Sequence, residues 1–141
     1  MPKPVTAVYQ RAFSGTPKRI FQLLSDLGTS ADAVWPSASQ PFMRTAGPLV
    51  VGQSEEWHGG VHAVLDQYDD ERCIVWRYDM PGVEGTHGFY LSPDKKKTLV
   101  QQKIDAVLSD TDGRAFWKRY EDVHEMMIEG LFDKLTKVLK R

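Results

Sequence analysis

From Val5 to Phe13 the apolar residues Val5, Ala7, Tyr9 and Phe13 broadly alternate with the polar Thr6, Gln10 and Arg11. That period of two predicts a first strand with one buried face. Thr16 followed by Pro17 then reads as a helix N-cap with proline at the first helical position. Ile20, Leu23, Leu24 and Leu27 recur at helical spacing opposite Lys18, Arg19, Gln22 and Asp26, a short amphipathic helix that Gly28 ends. Thr29 to Asp32 can cap a second short helix carrying Val34 and Trp35, stopped by Pro36. After a loop with a brief strand at Pro41 to Arg44, period two returns and persists. Strands are predicted at Leu49 to Trp57, Val61 to Tyr68, Cys73 to Met80, Gly85 to Leu91 and Thr98 to Leu108, separated by short polar or Gly/Pro turns. Strands joined so tightly can pair only antiparallel. The last segment, Arg114 to Lys140, switches to helical period, with Phe116, Tyr120, Val123, Met127, Leu131, Leu135 and Val138 on one face. At 1.5 Å per residue it would run roughly 40 Å. A helix of that length must bury its stripe, and the meander offers the only large apolar face. The expected fold is therefore α+β: a curved antiparallel sheet around a long C-terminal helix, with two short helices after the first strand.

Composition narrows the picture. The 141 residues fit one domain spanning 1–141, with 41% hydrophobic residues to build a core and 26% charged residues to cover it. Cys73 is the single cysteine, so no intrachain disulfide and no cysteine-based zinc site can form. The net charge of −1 offers no electrostatic basis for nucleic-acid binding. Lys95, Lys96 and Lys97 follow Ser92-Pro93-Asp94 and read as a solvated turn. No apolar run reaches the ~20 residues that cross a bilayer, and the N-terminus lacks a signal-peptide core, so a cytoplasmic location is expected.

Three local patterns carry a family resemblance. They are Gly47-Pro48-Leu49-Val50-Val51-Gly52 entering the sheet, Val64 to Asp69 before Ile74-Val75-Trp76-Arg77, and Gly85-Thr86-His87-Gly88-Phe89-Tyr90-Leu91-Ser92-Pro93. With the order of elements, they make nearly the whole chain resemble the START-related (SRPBCC) superfamily, which includes birch-pollen-allergen-like and polyketide cyclase/dehydrase-like proteins. The resemblance implies a helix-grip fold with a ligand cavity between sheet and helix. It does not choose among carriers, lipid-transfer proteins, cyclases and partner-binding regulators.

Alternation assigns the inner face of most strands. Val100, Gln102, Ile104, Ala106 and Leu108 point inward, as do Ile74, Trp76, Tyr78 and Met80, and then His87, Phe89 and Leu91. In the strand ending at Trp57, Glu55 and Trp57 share one face, Glu56 and His58 the other; Trp57 is taken as inward. The expected ligand-binding set is Trp35, Trp57, Trp76, Tyr78, His87, Phe89, Gln102, Phe116, Tyr120 and Met127, with His124 at its margin. Rings with a few polar tips suit a mostly apolar, ring-bearing molecule.

For catalysis the best candidates are His87, Tyr78 and Tyr120, with His87 able to exchange protons near neutrality. His58 and His62 flank the Gly59-Gly60 turn beside Glu55 and Glu56, but at no helical zinc spacing, and are expected to be exposed polar residues with no metal bound. His124-Glu125 lacks a second histidine at metalloprotease spacing. No phosphate loop, dinucleotide fingerprint or nucleophile elbow is present, and no cofactor is expected. The leading function is binding or transport of an apolar small molecule, lipid-like, polyketide-like or aromatic. The alternatives are a cyclase/dehydratase using the same pocket, and a partner-binding or homodimeric module joined through Leu99 and Tyr90 on the outer sheet face.

Overall fold

The computed structural model describes residues 1–141. Its elements are β1 (Lys3–Phe13), α1 (Pro17–Ser25), β2 (Met43–Arg44), β3 (Glu55–His58), β4 (Val61–Asp69), β5 (Cys73–Tyr78), β6 (Val83–Asp94), β7 (Lys97–Leu108) and α2 (Thr111–Leu139). The seven strands form one antiparallel sheet in the order β1-β7-β6-β5-β4-β3-β2. Every neighbour but one is consecutive in sequence. The exception is β1, which pairs along its whole length with β7 and closes the N-terminal edge.

Both helix starts follow from their cap residues. The Thr16 hydroxyl accepts from the Arg19 N–H at 3.2 Å, with Pro17 at the first helical position. Asp110 accepts from the Gly113 N–H at 2.8 Å to open α2. A side chain at Gly113 would run into the Gly82 carbonyl, so the β5–β6 turn lies directly against the first turn of α2.

The second short helix expected at Thr29 to Trp35 does not form. Asp32 instead turns the chain: its carboxylate accepts from the Val34 and Trp35 N–H groups, each at 3.0 Å, and from Gly28 at 3.1 Å. Those bonds occupy the donors a helix would direct to carbonyls, and Pro36 follows before another turn can be added. The expected Leu49 to Trp57 strand is likewise shortened to Glu55–His58. Residues 51–53 are a turn, closed by backbone bonds from Gln53 and Ser54 to the Val50 carbonyl.

Two apolar clusters fill the interior. The larger joins α1, the middle of the sheet and the C-terminal half of α2 through Ile20, Leu65, Val100, Leu131, Phe132 and Leu135. The smaller gathers Tyr78, Ile104, Leu108, Phe116, Trp117 and Tyr120 at the N-terminal end of α2. The buried side of α2 passes through His124 and Ile128 rather than the expected Val123 and Met127; Val123 is exposed and Met127 half-buried. Arg11 ties β1 to the outside of α2, reaching Glu129 at 3.0 Å and Asp133 at 2.9 Å. No helix is long and apolar enough to cross a membrane.

Candidate functional site

A cavity of about 50 Å³ lies between the concave sheet and α2. Its apolar walls come from Leu24 in the last turn of α1 and Leu27 just after it, from Trp35, Phe42 and Leu49 in the connecting loops, and from Ile74, Trp76 and Phe89 on the sheet. Met127 and Ile128 close it from α2. Two polar groupings interrupt this lining.

The first is Glu56, His58 and His87. Glu56 and His58 are two residues apart on β3 and so share a face. His87 is on β6, with β4 and β5 between. On a flat sheet three strand spacings would hold them roughly 14 Å apart at the backbone. Instead His87 Nε2 stands 2.5 Å from Glu56 Oε1, and His58 Nε2 stands 3.3 Å from the same oxygen. Curvature is what brings them together, and β4 carries a register shift between Leu65 and Gln67 that bends the sheet here. Ala63, directly opposite Glu56, presents only a methyl group, which leaves room above it for the longer side chains.

Glu56 is fully buried, and neither of its carboxylate oxygens receives a hydrogen bond. Burial acts to raise its pKa, but His87 and His58 outweigh that and hold it at about 2. The Tyr78 hydroxyl beside them also has no hydrogen-bond partner in the protein. Its ring packs 5.0 Å from His87, and burial raises its pKa. The His58 ring is stacked on Phe42 at 4.8 Å and 15° and packs against Trp35 at 5.5 Å, which fixes its plane.

The second grouping is a relay on α2 and β7. The His124 ring lies between the Tyr120 hydroxyl, 2.7 Å from Nδ1, and Gln102 Oε1, 2.9 Å from Nε2. The amide oxygen can only accept, so Nε2 carries the proton and Nδ1 accepts from tyrosine. Burial, aided by His87 and His58, lowers the His124 pKa to about 3. Below its ordinary value of 6.5 the unfolded chain takes up a proton that the folded chain refuses. Stability from this residue is therefore complete above pH 6.5 and declines as pH falls toward 3, by about 1.4 kcal/mol per pH unit. The corresponding contribution of Glu56 is lost only lower, between its ordinary 4.5 and about 2. Urea unfolding between pH 7.5 and 4.5 should show that decline, and His124→Gln should flatten it. Parallel pH curves for the two proteins would assign the acid limb to another group.

Most of the residues expected at the ligand site line the cavity: Trp35, Trp76, His87, Phe89, Gln102, Tyr120, His124 and Met127. His124, expected at the margin, lies inside at 5% exposure. Tyr78 and Phe116 are buried next to the cavity rather than on its wall; Phe116 stacks on Tyr120 at 4.9 Å.

Trp57 is the error. It is 39% exposed and stacks on His62 on the outer face, so β3 is turned the opposite way from expectation. The expected hairpin-tip pair is split by the same rotation. His62 stays outside, 2.8 Å from Glu55, whereas His58 goes in. The physical reason lies in the hairpin register. Gly59-Gly60 pairs His58 with Val61 and Glu56 with Ala63, and directly opposed residues share a face. Val61, Ala63 and Leu65 are inward, so Glu56 and His58 must be inward too. That signal was present in the sequence. The bulk and apolarity of Trp57 pointed the other way. On the outer face Leu99 and Tyr90 are half-buried, with Lys103 Nζ 4.9 Å above the Tyr90 ring.

No protein-family model matches the chain, and no curated protein matches it in sequence. Solved structures do match in fold. Protein Ms6760 from Mycobacterium smegmatis is similar at a TM-score of 0.68 and 12% identity, covering 96% of this chain and 90% of that one. Protein MLL2253 from Mesorhizobium loti gives 0.69 and 17% over 97% and 98%. The Aha1 dimer from Colwellia psychrerythraea gives 0.62 and 17% over 96% of each chain. At such identities the likeness establishes a shared architecture, an antiparallel sheet with a long C-terminal helix, and leaves function to the site itself.

Proposed function

We propose that this chain is a helix-grip protein of the START-related kind that binds a small, mostly apolar, ring-bearing molecule in the cavity between sheet and α2. The observation that carries this reading is the make-up of the cavity wall. It is mostly aromatic and aliphatic, from Trp35, Phe42, Trp76 and Phe89, with the polar Glu56, His58 and His87 set among those rings. Apolar walls would supply affinity, and the few polar atoms would set orientation. At about 50 Å³ the space holds a fragment rather than a lipid. A ligand of ordinary size, for which pockets run to roughly 300–1,000 Å³, would need the Trp35–Phe42 loop or Met127 to move aside.

The test is ligand capture. Native mass spectrometry of the purified protein, then denaturing extraction, should yield a bound small molecule, and titration should follow its rebinding. Trp76→Ala and Phe89→Ala should weaken rebinding at least tenfold, each removing a ring from the wall, while Lys96→Ala leaves it unchanged. Equal effects from all three would defeat the reading.

A second reading is catalysis of the cyclase/dehydratase sort in the same pocket. It is favoured by the Tyr120–His124–Gln102 relay and the buried Glu56–His87 pair, which supply proton-exchanging groups at the cavity wall. Turnover lost in His87→Ala with ligand binding retained would establish it.

A further inference from the structure

The geometry points to a divalent transition-metal site formed by Glu56, His58 and His87, with an open coordination position facing the cavity. This goes beyond the proposed organic ligand and stands independently of it.

Four observations converge. The donor atoms, one carboxylate oxygen and two imidazole nitrogens, all lie within 4.8 Å of one another. Two histidines and one carboxylate are the donor set of open zinc sites, in which a water or substrate takes the fourth position. With metal–ligand bonds of about 2.0–2.1 Å, tetrahedral donors stand roughly 3.3 Å apart. The His58–Glu56 separation is already 3.3 Å; the His87–Glu56 contact of 2.5 Å would open by less than an ångström as an ion settled between them.

The second observation is the state of those atoms. Both Glu56 oxygens, His58 Nε2 and His87 Nε2 are buried, and none makes a hydrogen bond of acceptable geometry. A simple histidine–carboxylate pair at such range should align an N–H with an oxygen lone pair. Here both nitrogens approach the same carboxylate oxygen without that alignment, so the close approach is not accounted for by a well-formed hydrogen bond. A fully buried carboxylate with no donor is otherwise costly.

Third, the ligands are held before any ion arrives. His58 is stacked on Phe42, and His87 rests against Tyr78. Both histidines project from strands rather than loops, which fixes donor positions more tightly. Fourth, all three residues line the cavity. A dication beside one carboxylate would leave a net positive charge at this part of the pocket wall. Water, or an oxygen donor of a cavity ligand, is what that part would take.

The test uses zinc alone, added as chloride to protein stripped with chelator. Calorimetric titration should give one ion per chain. His87→Ala and Glu56→Gln should each weaken binding by more than about 100-fold, beyond the effect of losing an outer contact. His62→Ala should change it less than threefold, because His62 and Glu55 face outward. Zinc should also raise the melting temperature of the wild type and His62→Ala, and not that of the two cavity variants. Circular dichroism checks that the variants fold. Should they not, cobalt(II) in the wild type decides: strong visible absorption of a four- or five-coordinate site with nitrogen and oxygen donors supports the assignment. Absent stoichiometric binding, binding abolished by His62→Ala, or a weakly absorbing six-coordinate cobalt spectrum each overturns it. Ligand capture by chelator-stripped protein is measured separately, so failure of either assignment leaves the other standing.

Discussion

His87→Ala is expected to lower the stability of the metal-free protein by about 3 kcal/mol. Removing the partner of a buried charge costs roughly 3–5 kcal/mol because that charge is left uncompensated in a poorly solvated place. The Glu56 carboxylate is such a charge, fully buried and without a hydrogen-bond donor. His58 stays 3.3 Å away and still offsets part of the loss, which puts the expected value at the lower end. The counterpart is a prediction of rescue. Glu56→Met combined with His87→Leu should recover most of the lost stability, since apolar residues of similar volume need no compensation. His62→Ala, on the outer face, should stay within about 0.5 kcal/mol of wild type. Urea unfolding in the presence of chelator measures all four proteins. A His87→Ala loss below 1 kcal/mol, or a double variant less stable than His87→Ala, would show that the carboxylate is not held as described.

The second large effect is expected at Phe132. Its side chain is fully buried, meets Phe13 edge-on at 5.4 Å between ring centroids, and lies under the Arg11 guanidinium at 5.5 Å. It therefore joins α2 to β1, the strand that closes the sheet. Phe132→Ala should cost about 3–5 kcal/mol, combining lost transfer energy with an uncollapsed cavity. Val123→Ala on the same helix should cost under about 1 kcal/mol, because Val123 is already partly in water. Denaturant midpoints decide, and comparable losses at the two positions would mean that the helix faces the sheet differently.

These two residues also show where the sequence was readable. The long helix, the meander and the helix caps at Thr16 and Pro17 follow from period and cap chemistry, both of which are local. The rotation of the helix was harder. Tyr120, His124 and Ile128 succeed one another at four-residue spacing along the buried face, yet a histidine reads as polar. Excluding it shifts the inferred stripe onto Val123 and Met127. The relay with Tyr120 and Gln102 explains how a polar side chain can occupy that line, and such a partner on β7 is visible only once the helix is docked.

Strand β3 failed for a related reason. With four residues, a tryptophan on one face and a glutamate and histidine on the other, apolarity alone chooses wrongly. The two-glycine hairpin carried the correct answer through register, since the inward side of β4 was clear from Val61, Ala63 and Leu65. The meeting of Glu56 with His87 was beyond either argument. It depends on curvature accumulated over three strand spacings, to which β-bulge and twist contribute together. Thr29 to Asp32 carry the residues of a helix cap, yet Asp32 uses its carboxylate on a turn through the Val34 and Trp35 N–H groups, and Pro36 leaves no room for the expected helix.

The measurement that tests the central claim most directly is a crystal structure of the protein grown with zinc, with data collected on both sides of the zinc absorption edge. The account predicts a single anomalous peak inside the cavity, about 2.0–2.2 Å from Glu56, His58 and His87. A peak on the outer face between His62 and Glu55, or a Glu56 side chain turned to solvent with the cavity free of signal, would contradict it.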